Sequence, residues 1–194
     1  MTAAAPSSRL IGVPGGEPRR LENFVNGHWV RGTGAGTDLF HAVTGEKIAE
    51  ASTEGIEFGG MVEYARRVGG PALRRLTFHQ RALMLKAMAQ ALMERKEEFY
   101  AVSAATGATR TDSWIDIEGG IGTFFAYASR GRRELPNETF YIDGPAEALS
   151  KGGTFVGRHI CVPLEGVAVH INAFNFPVWG MLEKLAPTDR KSVV

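Results

Sequence analysis

The chain has 194 residues, 44% of them apolar and 22% charged, with a formal net charge of +1, which is the make-up of a soluble protein with room for one full domain and a sizeable core. That balance argues against a nucleic-acid surface, and the first twenty residues, rich in Ala, Ser, Pro and Gly, hold no apolar run that could act as a signal peptide or membrane span. Cys161 is the single cysteine, so an internal disulfide is excluded and a reducing, cytoplasmic location is expected.

Residues 1–22 read as a disordered tail. Order begins near Phe24, where Asn26-Gly27 between short runs of β-formers predicts a strand or tight hairpin. The glycines of Gly32-Thr33-Gly34-Ala35-Gly36 look like a phosphate loop, yet no helix pattern follows them. Asp38 to Val43 reads as a strand, so no helix N-terminus is there to face a phosphate.

A first helix is expected over Ile56 to Val68, with Phe58, Met61, Val62, Ala65 and Val68 on one face and Gly69-Gly70-Pro71 as its stop. The second is marked by a capping box, Thr77-Phe78-His79-Gln80, and by Phe78, Ala82, Leu85, Ala89 and Leu92 at alternating steps of four and three. Met84, Met88 and Met93 at helical spacing read as core filling, and Glu94 to Glu98 as a solvated face. A third helix starts after Thr111 or Asp112, buries Trp114, Ile117, Ile121, Phe124, Phe125 and Ala128, and ends at Gly131. Gly119, Gly120 and Gly122 inside it each cost about 1 kcal/mol relative to Ala, so they mark either close packing or a break.

Glu134 to Gly153 is polar and punctuated by Pro and Gly, a long connection with a short extended piece at Phe140-Tyr141-Ile142. Thr154 to Val162 reads as a strand that carries Cys161 in its middle, a poor setting for a reactive thiol. The five histidines are scattered without metal-ligand spacing, and no metal is expected.

The chemistry concentrates near the end of the chain. Val167, Val169 and Ile171 form a strand suited to a parallel sheet, beyond whose carboxyl end ligands bind. Asn172 and Asn175 sit at that position. The Asn175 amide, fixed by Phe176-Pro177, could donate to an oxyanion forming on a substrate carbonyl. The alternative is that Asn175 closes a turn or caps a helix over Val178 to Leu185.

The run Val167-Ala168-Val169-His170-Ile171-Asn172-Ala173-Phe174-Asn175-Phe176-Pro177, followed by Glu183-Lys184-Leu185-Ala186-Pro187, resembles the Asn-Phe-Pro segment and Lys-Leu-Ala-Pro helix of the aldehyde dehydrogenase superfamily. Ala173 and Phe174 stand where that family usually has Pro and Trp. Together with Thr106 to Gly122, the likeness is greatest to the semialdehyde dehydrogenase part of the ring-opening bifunctional proteins of phenylacetate degradation, and it spans Phe24 to Thr188.

The resemblance implies an α/β fold, the N-terminal portion of an aldehyde dehydrogenase. Residues 23–133 and 163–188 would form part of a Rossmann-like cofactor domain, 134–162 part of an oligomerisation arm, and 189–194 an artefactual tail. Asn175 would stabilise the thiohemiacetal oxyanion and Lys184 would take part in proton transfer. Ile171, Asn172 and Phe174 would line NAD or NADP, largely through backbone atoms. The implied substrate is a small-molecule aldehyde, a CoA-linked semialdehyde of aromatic catabolism, and the implied assembly a homo-oligomer. Cys161 does not occupy the family's nucleophile position, and the general-base glutamate also has no counterpart here. The chain alone is therefore expected to be inactive. It is also expected to aggregate, for want of the sheet its helices should cover. The other function class is a non-catalytic fragment that docks on full-length subunits through Thr154 to Val162.

Overall fold

The computed structural model describes residues 18–191. Order begins inside the segment expected to be disordered. Arg19–Arg20 (β1) run parallel to Lys47–Ala51 (β5), which pairs antiparallel with Thr37–Phe40 (β4). Residues 1–17 of the expected tail lie outside the described residues. Asn23–Val25 (β2) and His28–Val30 (β3) form the predicted hairpin, turned by Asn26 (φ 51°) and Gly27 (φ 88°), the positive pair that a two-residue turn of the right twist demands. Phe24 and Trp29 meet edge to face across it, 5.1 Å between ring centres.

The glycine-rich loop at 32–36 is a connector. The Arg20 guanidinium donates to the carbonyls of Gly32 and Gly34, and the Gly36 N–H donates to Glu50 Oε1 at 3.0 Å. These contacts pin the loop to the edge of the small sheet.

The first helix does not stop at Gly69-Gly70-Pro71. Phe58–Tyr64 (α1) leads through a π-helical turn, Ala65–Gly69, into Gly70–Arg74 (α2). The Gly70 N–H reaches back five residues to the Ala65 carbonyl, so the hydrogen-bond ladder slips by one just before Pro71, which has no N–H to lose. Its expected apolar face is not buried: Phe58 and Val68 are exposed.

Phe78–Glu94 (α3) carries the predicted capping box, with Gln80 N–H to Thr77 Oγ1 at 3.2 Å and Thr77 N–H to Gln80 Oε1 at 2.9 Å. Phe78, Ala82, Leu85 and Ala89 are buried as expected. Met88 is exposed, however, and is not core filling. The chain breaks at Arg95, which binds Glu98 at 2.8 and 2.7 Å, before Lys96–Ala105 (α4); Lys96 leaves the supposed solvated face to reach Glu118.

The third helix begins earlier than expected, at Arg110–Trp114 (α5), because Thr109 caps it by accepting from the Asp112 N–H at 3.1 Å. A second π-helical turn, Ile115–Gly119, joins it to Gly120–Glu134 (α6), which runs past Gly131. Ile117, Ile121, Phe124 and Ala128 are buried, whereas Trp114 is exposed.

The polar connection conceals a longer strand than expected. Tyr141–Ala148 (β6) pairs antiparallel with Val156–Cys161 (β7), and the register slips between Asp143 and Glu147. Gly144 (φ 77°) and Pro145 sit at that irregularity, where a missing ladder donor is tolerated.

Pro177–Lys191 (α7) closes the chain, longer than the expected Val178 to Leu185 and including the first residues of the expected artefactual tail; 192–194 lie outside the described residues. α7 lays Leu182 and Ala186 against Leu85 and Ala89 of α3, Tyr100 of α4, and Ile117, Ile121, Phe124 and Ala128. That helical core, buried at roughly 25 cal/mol per Å² of apolar surface, sets where the last helix and the corner before it sit.

Candidate active site

The expected strand Val167 to Ile171 forms no strand and pairs with no other described segment, and Val169 and Ile171 are 78% and 87% exposed. A β-run without a ladder partner leaves its polar backbone to solvent, so the apolar pattern alone does not make a strand. The segment is held by side chains instead. His170 Nε2 lies 3.2 Å from Thr188 Oγ1, and Lys184 Nζ donates to Asn172 Oδ1 at 3.2 Å. His170 and Asn172 both reach α7, where Thr188 and Lys184 lie one turn apart, so the segment runs back along the helix.

Of the expected site residues, the structure brings Asn172 and Lys184 together. Lys184 also donates to the Gly180 carbonyl at 2.8 Å and lies 3.7 Å from Glu183. Ile171 and Phe174 are 87% and 91% exposed. Beside the corner an open recess of 340 Å³ is lined by Ile115, Ala173, Phe176, Trp179, Gly180, Glu183 and Lys184.

Asn175 is exposed, two residues before α7, and its amide has no hydrogen-bond partner among the described residues. It does not cap the helix. The cap comes from Asp116, a buried residue of the π turn: Val178 N–H donates to Asp116 Oδ2 at 3.3 Å and Trp179 N–H to Oδ1 at 2.7 Å. Pro177 in the first position has no N–H, so one carboxylate serves the first two donors the helix presents and meets the positive end of its dipole.

The docking is close because Gly119 and Gly120 have no side chains. A Cβ on Gly120 would stand 2.8 Å from Trp179 Cα, and one on Gly119 would stand 2.7 Å from Trp179 Cε3. The glycines therefore mark packing, not a break. On the other side of the π turn, Glu118 accepts from Lys96 Nζ at 3.0 Å and from the Tyr100 hydroxyl at 2.9 Å, and Arg110 lies 3.4 Å over the Tyr100 ring. Lys96, and then the Tyr100 hydroxyl, hold the Glu118 carboxyl below its usual range. Burial, and then the bond to Glu118, push the Tyr100 hydroxyl up.

Sequence reasoning missed Asp116. The signal was present: Ser113, Asp116, Ile117, Gly120 and Ile121 fall on one helical face, and a carboxylate among buried positions requires a partner.

The exposed backbone at Ile171, Asn172 and Phe174, bonded to no other described element, fits contact with a nicotinamide group through main-chain atoms. The N-terminus of α7 does not fit a dinucleotide pyrophosphate, since Asp116 fills it. No group of three or more His, Cys, Asp or Glu among the described residues could hold a metal ion. Cys161 lies in β7 opposite Tyr141, on a different element from the corner. No helix among the described residues is long and apolar enough to cross a membrane.

The model of the aldehyde dehydrogenase family matches residues 29–188. The 3,4-dehydroadipyl-CoA semialdehyde dehydrogenase of Aromatoleum evansii is 42% identical over 169 residues, which are 87% of this chain and 33% of that protein. Among solved structures, aldehyde dehydrogenase 21 from Physcomitrella patens, in complex with the reaction product succinate, superposes with a TM-score of 0.72 at 18% identity, covering 90% of this chain and 35% of that one. Betaine aldehyde dehydrogenase from Staphylococcus aureus, in complex with NAD+, gives 0.70 at 20% identity, covering 90% and 33%. The chain thus spans about a third of the length of the proteins it matches. With the corner, most of its helix and the helical core inside the matched span, the chain belongs to the aldehyde dehydrogenase family.

Proposed function

We propose that this chain supplies the oxyanion-stabilising part of an NAD(P)-dependent aldehyde dehydrogenase site, with Asn175 as the donor. The observation that carries the reading is the unengaged Asn175 amide at the head of a helix whose own cap is provided from elsewhere. An amide spared from capping can be aimed at a carbonyl oxygen as it gains negative charge.

Asn172 and Lys184 form the polar edge of the same corner. Lys184, tied to Asn172 and Gly180, holds an ammonium where a proton can be passed to or from the reacting oxygen. Ile171, Asn172 and Phe174 hold the nicotinamide cofactor, NAD or NADP, through their backbone, and that group when bound supplies the hydride acceptor. The substrate is an aldehyde, and the likeness to a CoA-semialdehyde dehydrogenase supports a CoA-linked semialdehyde of aromatic breakdown. The nucleophilic thiol comes from outside this chain, because Cys161 sits within the β6–β7 hairpin. Assayed alone, the chain yields no aldehyde-dependent NAD(P)H.

The test is Asn175→Ala in an enzyme that holds this chain together with the part that supplies the thiol, assayed by NAD(P)H formation from a CoA-linked semialdehyde. Loss of one oxyanion donor lowers kcat by about 10²- to 10³-fold. An unchanged kcat sinks the proposal.

A second reading, assembly without catalysis, is favoured by the exposed apolar residues Phe155, Val156, Ile160 and Val162 on and beside β7. It requires that the chain be pulled down with subunits of the whole enzyme and that Ile160→Lys abolish the complex.

A further inference from the structure

Asp116 is the only buried carboxylate among the described residues, and the proposed chemistry does not use it. Both its oxygens are committed to α7, at 3.3 Å to the Val178 N–H and 2.7 Å to the Trp179 N–H. A charged acceptor at 4% exposure, facing two amides at a helix start, holds its partners more firmly than a solvated cap does.

The turn that carries Asp116 is itself gripped from two sides. Glu118, two residues on, is bound by Lys96 and Tyr100 from α4. Gly119 and Gly120 let the backbone of Trp179 come in close. The start of α7 is therefore set by a rigid neighbour and not by its own sequence. Asn175 stands three residues before the first amide that Asp116 receives.

The geometry points to Asp116 as a positioning residue for Asn175. By capping α7 from another helix it performs the task the asparagine would otherwise perform, and it fixes the Asn-Phe-Pro corner against the core so that the amide stays outward and in register. This inference rests on the role proposed for Asn175. With Asp116 neutralised, the first turn loosens, and Asn175 either wanders or folds back onto the amides left free. Misplacing a reacting group by about 1 Å can cost as much as 100-fold in rate.

The experiment is a double-mutant cycle in an enzyme that holds this chain together with the part that supplies the thiol, pairing Asp116→Asn with Asn175→Ala and measuring kcat and KM for a CoA-linked semialdehyde with NAD(P)+. Asn keeps the shape of the side chain and one acceptor. Asp116→Asn alone is expected to lower kcat by about 10- to 100-fold. Placed on Asn175→Ala it should cost less than about twofold more, since the group it positions is already gone. A loss of the same factor in both backgrounds overturns the positioning role and leaves Asp116 as a structural cap, and so does a neutral Asp116→Asn. If Asp116→Asn does not fold, Val178→Pro removes one of the two donors from the helix side at a position that tolerates proline. The same coupling to Asn175 is expected of it, and additivity again refutes the idea. A neutral Asn175→Ala overturns the functional reading itself, and this inference with it, whereas a crippling Asn175→Ala with additive effects overturns only the inference.

Discussion

Gly120 and Gly122 lie in the same helix, and alanine at the two positions should shift stability in opposite directions. At Gly122 nothing lies within 4 Å of where a Cβ would be. Gly122→Ala therefore gains only the difference in helix propensity, about 1 kcal/mol. At Gly120 the new methyl would stand 2.8 Å from Trp179 Cα and 2.9 Å from Trp179 N, well inside the 3.4 Å at which ordinary contact begins. These are backbone atoms, so no rotamer change relieves the clash, and α7 must move off α6, carrying Leu182 and Ala186 with it. Overpacking of this kind costs about 1–3 kcal/mol, which outweighs the propensity gain. The two variants should then differ by about 2 kcal/mol in urea unfolding at an unchanged m value, with Gly122→Ala the more stable. Gly119→Ala should fall between them, because its obstacle is the Trp179 ring, which can turn aside by giving up its 2.9 Å bond to Glu183. Equal stabilities for Gly120→Ala and Gly122→Ala would refute the close-packing argument.

Thr77→Ala removes the cap of α3 together with the 2.7 Å bond to Asn137 and should cost about 1 kcal/mol in the same assay, while Thr77→Ser should cost much less; equal losses would count against capping as the cause. Acid should act through Glu118. Its carboxyl is held below the ordinary 4.5, first by Lys96 and then by Tyr100, so it binds a proton less readily folded than unfolded. Its contribution to stability is complete above 4.5 and is lost as pH falls through the lower folded value. Glu118→Gln should therefore flatten the decline in stability on the acid side, read from urea midpoints across about pH 3 to 6, and an identical acid profile would rule Glu118 out as the group concerned.

What was legible in the sequence is what is written locally. Thr77 and Gln80 are three residues apart, and Asn26-Gly27 turns on its own two residues, so a short window contains the whole cause. The buried stripe from Phe78 to Ala89 follows from spacing alone. The family was legible because the order of residue types around Asn175 is distinctive. The failures lie where the cause is distant. Gly119 and Gly120 allowed both packing and a break until Trp179 was seen against them. The partners of Asp116 lie 62 and 63 positions away, beyond the reach of any local pattern. The strand at Tyr141–Ala148 was read as connection because Gly144-Pro145 signals a turn as readily as a bulge. Val167 to Ile171 has the pattern of a strand, but a strand also needs a neighbour, which pattern cannot supply.

The cap carried by Asp116 also imposes a sequence of events on folding. A helix that begins with its own Ser, Thr or Asp can nucleate as soon as its first turn exists. α7 begins with a proline and borrows its acceptor from a residue 62 positions earlier, so its starting register has no local author. The loop that must close before those bonds form is long, and its entropy is spent ahead of any return. On a ribosome the acceptor emerges before its donors, in the turn that Lys96 and Tyr100 clamp in the folded structure, and the start of α7 is fixed only when Val178 and Trp179 meet it.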